Sequence, residues 1–151
     1  MEVGVQMVGS KEMDAVMKRL ATLEPDEFFL DEFKPAADLM VTAIRNQTPV
    51  SPAGSKSLKY GSRTHAPGTL KQSIGRKIGK GQMYPTVFVG PNRRGGVDGW
   101  YNHIVIGGHE YGGTRVPPNP FVRRAFDAAG GMIQGRVTSR IKMKMQKLID
   151  R

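Results

Sequence analysis

Two histidines and a glutamate are the residues of this sequence best suited to chemistry. His103 and His109 are six residues apart, and Glu110 follows the second histidine directly. A metal site on a helix places its ligands four residues apart, and a zinc site in a loop usually adds cysteines or further histidines. The chain has no cysteine, and neither spacing occurs. The sequence therefore predicts no metal site, and a small hydrolase acting through His109 and Glu110 is the remaining catalytic alternative.

Other patterns that carry chemistry are incomplete. No Gly-x-Ser-x-Gly elbow is present for a serine nucleophile. The segment "GRKIGKG" over residues 75–81 has the composition of a phosphate-binding loop, but its glycines are misplaced, and no serine or threonine follows Lys80. Paired carboxylates could occur only in the acidic segment 24–32, which we expect to be solvated. We therefore predict no catalytic, cofactor-binding or metal-binding residues.

The charge is strongly positive and unevenly distributed. The sequence has 23 Lys and Arg residues against 13 Asp and Glu residues, for a net charge of +10. Acids crowd the region before residue 33, and bases fill residues 56–80 and 136–151. Such a balance favours polyanions or acidic protein surfaces as partners. No known nucleic-acid-binding signature occurs, and aromatic residues are not interleaved with the bases. A basic nucleic-acid-binding module with no catalytic role stays open as the alternative function.

The apolar spacing predicts two helices in the N-terminal third. Residues 10–23 carry an apolar stripe after Ser10, which is a good N-cap. Residues 26–47 carry a second stripe, in which Pro35 predicts a kink or a fresh helix start. The dipeptide Thr48-Pro49 predicts the end of this helix.

A basic segment follows these helices. Residues 50–67 are rich in Pro, Gly, Ser, Lys and Arg and have almost no apolar periodicity. We predict a long loop that forms a flexible basic arm, with Lys56, Lys59 and Arg63 as its charged residues. Loops of this length are uncommon in compact domains unless they are used. We expect the arm to be mobile in the isolated subunit and ordered on a partner.

The second half predicts strands and then one long helix. Residues 68–80 predict a short turn and a strand, residues 84–90 a second strand, and residues 100–106 a third. Asn119 as N-cap and Pro120 at the first helical position predict the start of a helix whose apolar residues recur every four positions to residue 149. Gly130-Gly131 and Gly135 predict a break or bend.

This order of elements predicts an α+β fold with a small antiparallel sheet. The N-terminal helices and the long C-terminal helix would pack on one face of that sheet. The length of 151 residues suits a single domain over residues 1–151. No run of eighteen apolar residues occurs, so we expect no membrane partner.

The segment "GGHEYGGTRVPPNPF" over residues 107–121 has four glycines and three prolines. Glycines permit a tight reversal of the backbone, and prolines stiffen the chain that follows. Phe121 would then anchor the last helix in the core. We interpret the segment as a hinge and clamp that shapes protein–protein joints, with no catalytic group placed in it.

This segment and an earlier one together resemble the phage tail-completion proteins, also called head–tail joining or neck proteins of long-tailed phages. The two segments are "TPVSPAGSKSLKYGSRTHAPGTLKQSI" over residues 48–74 and "HEYGGTRVPPNPFVRRAFDA" over residues 109–128. The family pattern contains a G-x-L-x-x-S-I segment, an E-aromatic-G-T turn, and Pro-x-x-Pro-Phe-hydrophobic-Arg at the start of the last helix. The residues at these positions, with the additional glycine of this sequence, are Gly68, Leu70, Ser73, Ile74, Glu110, Tyr111, Gly112, Gly113, Thr114, Pro117, Pro120, Phe121 and Arg123.

The resemblance implies a structural role in the virion, with no reaction and no cofactor. Members of the family form an oligomeric ring, commonly of six copies, at the head-proximal end of the tail. The implied partners are further copies of the chain, a tail terminator or tail-tube protein, and a head connector protein. The implied location is the phage neck, assembled in the host cytoplasm. The basic excess would face genome DNA or an acidic ring.

Overall fold

The computed structural model describes residues 18, 25–51, 58–60, 63–79, 84–92, 99, 101–111 and 113–150. For residues 25–26, 58–60, 63–65, 111 and 114 it describes the backbone alone. This part of the chain has an α+β fold of four helices and three antiparallel strand pairs.

The helices are α1 (Pro25–Gln47), α2 (Thr69–Ser73), α3 (Asn102–Gly107) and α4 (Phe121–Ile149). The two long helices, α1 and α4, pack along each other. Burial on α1 follows the helical spacing of Ala37, Val41 and Ile44, and on α4 it follows Phe121, Ala125 and Ile133. Tertiary packing of these apolar faces therefore stabilises both helices.

The strands are β1 (Leu58–Tyr60), β2 (Arg63–His65), β3 (Ile74–Ile78), β4 (Val87–Pro91), β5 (His109–Tyr111) and β6 (Thr114–Val116). Each pairs with its neighbour in sequence, so the described residues form three separate two-stranded sheets. The β3–β4 sheet packs against α1. This is the small antiparallel sheet that the sequence predicts.

The core lies where α1, the junction of α2 with β3, and the start of α4 meet. Its buried members are Val41, Ile44, Leu70, Ile74, Phe121 and Ala125. Partly buried residues of α3 and β4 pack around this cluster, among them Val89, Tyr101 and Val105. Short elements from distant parts of the sequence are thus held by one apolar centre.

Several predictions about elements are confirmed. The helix that the sequence places over residues 26–47 ends at Gln47, where Thr48 Oγ1 donates a hydrogen bond to the Ile44 carbonyl (2.7 Å). The strands predicted in residues 68–80 and 84–90 correspond to β3 and β4. The predicted helix 10–23 lies outside the described residues apart from Lys18, which is helical.

The prediction of a strand over residues 100–106 is wrong, because Asn102–Gly107 form the helix α3. Its β-branched residues favour a strand locally. Tyr101 at the N-cap of α3, and Val105 and Ile106 within it, nevertheless pack against the core. Tertiary packing therefore overrides the local preference.

The prediction of a loop without regular structure over residues 50–67 is also wrong in part. The backbone of β1 and β2 forms a hairpin there, with Leu58 opposite His65 and Tyr60 opposite Arg63. A two-residue Gly-Ser connection between short extended segments is a known hairpin signal. That signal was present in the sequence at residues 61–62.

The predictions about proline and glycine in helices each gave two alternatives, and one alternative of each does not occur. Helix α1 continues through Pro35 without a fresh start, and α4 continues through Gly130, Gly131 and Gly135 without a break. A kink at Pro35 and a bend at the glycines stay predictions. A glycine inside a helix costs about 1 kcal/mol relative to alanine. The packing of α1 along α4 offsets such local costs.

The sequence predicts Asn119 as the N-cap of α4, and this prediction is wrong. Pro120 occupies that position, and no side chain caps the helix. The Asn119 side chain instead accepts a hydrogen bond from Arg124 Nη2 (2.7 Å), and its backbone N–H bonds the Val105 carbonyl (3.0 Å). Asn119 therefore ties the start of α4 to α3.

Candidate functional site

Four residues of the resembled motifs meet in the core. Leu70, Ser73, Ile74 and Phe121 are all at most 3% exposed. Ser73 Oγ donates a hydrogen bond to the Leu70 carbonyl (2.7 Å), which satisfies the hydroxyl where α2 ends and β3 begins. These residues set the position of β3 relative to α4, and none of them is available to a partner.

Gly68 precedes α2 with a φ of 86°. This left-handed conformation favours glycine, because a side chain there meets steric strain. Gly68 thus lets the chain turn into α2, and its role is that of a hinge.

The second motif forms the β5–β6 hairpin, so the predicted tight reversal is confirmed. Glu110 lies opposite Arg115, and opposite charges at such cross-strand positions are stabilising. Tyr111 lies opposite Thr114, and Gly113 turns the chain with a φ of 77°. Gly112 lies outside the described residues. The hairpin leads through exposed Pro117 and Pro120 into α4.

The basic arm is described in part only. Lys56 lies outside the described residues, and Lys59 and Arg63 are described as backbone positions of β1 and β2. They lie at neighbouring register positions, since Lys59 is opposite Thr64 and Arg63 is opposite Tyr60. The mobility of the arm stays a prediction.

The imidazole and carboxylate groups of the hydrolase alternative, His109 and Glu110, are adjacent on β5, where successive side chains point to opposite faces of the strand. His103 lies on α3, and all three residues are exposed. Among the described residues no group of three His, Asp or Glu side chains could hold a metal ion. No described helix is both long and apolar enough to cross a membrane.

The β3–β4 sheet has one face against α1 and one face in solvent. Val89 packs against the core, and Arg76 Nε bonds Asp38 Oδ1 of α1 (2.6 Å). Side chains alternate along a strand, so the other face carries Gly75, Lys77, Phe88 and Gly90. We call these four residues the outer sheet face. Phe88 is 53% exposed there, which is unusual for a large aromatic residue in a strand.

Some backbone groups of this sheet point toward its two edges, where no strand of the described residues pairs with them. Gly79 N–H bonds the Thr86 carbonyl (2.8 Å), and Asn92 N–H bonds the Ser73 carbonyl (2.9 Å). In an antiparallel pair, residues whose backbone N–H and C=O bond the partner strand alternate with residues whose backbone groups point away from it, in the plane of the sheet. We call the second kind outward residues. They are Ile74, Arg76 and Ile78 on β3, and Val87, Val89 and Pro91 on β4.

No third strand pairs with either edge within the described part of the chain. Arg45 Nη2 donates a hydrogen bond to the Ile74 carbonyl (2.8 Å), so one outward acceptor of β3 is occupied. An open strand edge is a ready template for pairing with another chain. The chemistry that this arrangement supports is therefore strand addition and apolar contact.

A cleft of about 330 Å³ lies between α1 and α4. Its walls include Pro35, Leu39 and Val137, and its charged residues include Glu32 and Arg140. Arg140 Nε lies 2.7 Å from Glu32 Oε2 as an ion pair, and no aligned hydrogen bond reaches that oxygen from the described residues. The expectation that the acidic segment is solvated is wrong for Glu32, whose side chain is 10% exposed.

Replacement of Arg140 by Ala is expected to lower the free energy of unfolding by about 2 kcal/mol, because a buried carboxylate would lose its partner. The matched control is Arg123→Ala, which breaks the exposed Arg123–Asp127 pair on the same helix. That change should cost at most about 0.5 kcal/mol. Urea unfolding followed by circular dichroism measures both values. Equal losses of stability for the two substitutions would contradict the argument. In the Arg140→Ala background, Glu32→Gln should recover part of the lost free energy of unfolding, because it removes the unpaired charge.

Sequence reasoning missed the residues that connect distant elements. Arg45, Arg76 and Arg140 look like members of a general basic excess, but each bonds a specific group on another element. No local signal marks such pairs, because their partners are far away in sequence. Phe88 could have been noticed as the outward-facing aromatic residue of a predicted strand.

No family model, no curated protein and no solved structure matches the chain. The resemblance to tail-completion proteins therefore depends on the two motifs and their order alone.

Proposed function

We propose that the chain is a structural subunit of the phage neck, which forms an oligomeric ring that completes the tail and joins it to the head connector. The observation that carries the proposal is the β3–β4 sheet, with open edges and an exposed Phe88. A neighbouring copy can extend such a sheet by strand addition. The proposal that this assembly is a phage neck ring is supported by the resemblance of the two motifs, and of their order, to tail-completion proteins.

The positions of the motif residues support an assembly role over a catalytic one. Leu70, Ile74 and Phe121 stabilise the core, and the glycines turn the chain at its hinges. The motif residues thereby hold β3 and the start of α4 in a fixed relation. A ring needs subunits whose joining surfaces have a fixed geometry, because contact angles must close.

Nucleic-acid binding is the alternative, and the described charges favour it less. Three bases of α4 are already paired, since Arg123 contacts Asp127, Arg140 contacts Glu32, and Lys144 contacts Asp31. Lys144 also lies 4.5 Å from the centre of the Phe28 ring. Arg140 and Lys144 therefore serve the packing of α4 on α1.

Loss of the gene in the phage that encodes this chain should give filled heads and separate tails. A plasmid copy of the wild-type chain should restore joined particles, as counted by electron microscopy and plaque assay. The copy carrying Phe88→Glu should fold but fail to restore them, because a charge would be placed in the subunit joint.

The matched control is Val50→Glu, which changes a 50% exposed apolar residue three positions after the last residue of α1. It should restore joining. Infectious virions without the gene would exclude the neck role. If the Phe88→Glu copy restores joining to the phage that lacks the gene, the outer sheet face is not the subunit joint. The proposed neck role would not be affected by that result.

A further inference from the structure

One face of α4 is free of charge on an otherwise basic helix. At 3.6 residues per turn, six exposed residues fall within an arc of about 80°. They are Ala128, Met132, Gly135, Ser139, Met143 and Gln146. We call them the uncharged stripe. Met132 is 64% exposed and Met143 is 58% exposed, so this face is not covered by the described part of the chain.

Rows of bases lie on both sides of the uncharged stripe. At the same helical periodicity, Arg136 and Lys147 flank one side, and Arg124 and Lys142 flank the other. Among the described residues none of these four bases forms an ion pair with an acid. Of the three bases of α4 that pair with acids, Arg140 and Lys144 contact acids of α1, and Arg123 contacts Asp127 of α4 itself.

We infer that the uncharged stripe and its flanking bases form a docking surface for an acidic amphipathic helix of a partner protein. The two methionines supply adaptable apolar contacts. Gly135 and Ser139 leave room for a helix backbone to approach closely. Acids beside the apolar seam of the partner would pair with the flanking bases, as charged positions do beside a coiled-coil seam.

A second copy of the chain fits this surface poorly. Two copies that face each other through the stripe would bring bases against bases. Three acids of α1 are already engaged, since Asp31, Glu32 and Asp38 contact Lys144, Arg140 and Arg76. We therefore assign the acidic helix to another protein.

Lipid and DNA also fit less well than an acidic helix. Helices that lie on membranes present a broad face of bulky residues such as Trp, Phe and Leu. The uncharged stripe is narrow and includes glycine, serine and glutamine. DNA phosphates would use the bases but gain nothing from exposed methionines. The inference does not depend on the neck role proposed above.

The test measures binding of model helices to the full chain by fluorescence anisotropy. The first probe is a synthetic peptide of about three heptads with Leu at the seam positions and Glu beside them. The second replaces the seam Leu by Ala, and the third replaces the Glu by Lys. We expect the first to bind, the second to bind about tenfold more weakly or worse, and the third not to bind.

The variants place the site on α4. Met132→Glu with Met143→Glu should weaken the first peptide at least about tenfold. The control, Gln134→Glu with Thr138→Glu, adds the same charge at exposed positions outside the stripe and should change affinity less than about twofold. Lys142→Gln with Lys147→Gln should weaken binding and reduce its dependence on salt. Circular dichroism verifies that each variant is folded.

Four results would overturn the inference. They are no binding of the first peptide, equal binding of the Leu and Ala peptides, equal losses in the stripe and control variants, and stripe-dependent binding of another class of partner instead. The last is checked with phosphatidylserine vesicles, with duplex DNA, and by sedimentation of the chain alone for self-association.

Discussion

Replacement of Phe121 by Ala should lower the free energy of unfolding by about 4 kcal/mol. Phe121 is the first residue of α4, and its side chain is 0% exposed among residues of α1, α2 and β3. Truncation removes apolar contacts on several elements at once and leaves a cavity that rigid neighbours fill only in part. Because domains are stable by about 5–15 kcal/mol, such a loss leaves a large unfolded fraction at elevated temperature.

The matched control is Phe126→Ala on the same helix. The Phe126 side chain is 62% exposed, so its removal should change stability by about 0.5 kcal/mol or less. Urea unfolding of both variants and the wild type gives the comparison. Similar losses for the two substitutions would mean that the core is not centred on Phe121.

Replacement of Gly108 by Ala should lower the free energy of unfolding by about 3 kcal/mol. Gly108 has a φ of 74°, which strains any residue with a side chain. A methyl group there would also lie 2.8 Å from the Val116 carbonyl oxygen and 2.9 Å from the Pro118 nitrogen. Both neighbours are backbone atoms, so they yield only if the β5–β6 hairpin moves relative to α3.

Substitutions at two other glycines distinguish the cost of backbone strain from the cost of steric crowding by the added methyl group. Gly113 has a φ of 77° and open space around it, so Gly113→Ala should cost about 1 kcal/mol from strain alone. Gly107 has neither constraint, and Gly107→Ala should change stability by less than about 0.5 kcal/mol. Thermal unfolding should therefore rank Gly108 first, Gly113 second and Gly107 last. Any other order would show that crowding at Gly108 is not the main term.

Patterns that extend over several residues predicted much of the fold. The repeated apolar spacing of α4 and the alternation in β3 and β4 are local consequences of burying one face, and the structure has all three elements. The burial of Phe121 follows from its place at the head of that spacing. Such features are determined by the residues of the segment in which they occur.

Features set by distant contacts were not predictable in this way. Helix α3 forms against its local strand preference because Tyr101 and Val105 reach the core. Asn119 has a side chain suited to capping, but its backbone N–H bonds the Val105 carbonyl of α3, and Pro120 is the N-cap of α4. The outer sheet face was missed because its glycines and Phe88 become a surface only once β3 pairs with β4.

The proline that ends β4 and the arginine that contacts β3 restrict the same end of the β3–β4 sheet, because Ile74 lies opposite Pro91. Pro91 has no N–H to donate, and the Ile74 carbonyl already accepts a hydrogen bond from Arg45. At the other end, no further strand of the described residues lies beside Ile78 on β3 or Val87 on β4. A strand from another copy would therefore pair over that end, which limits the registers in which two copies can join.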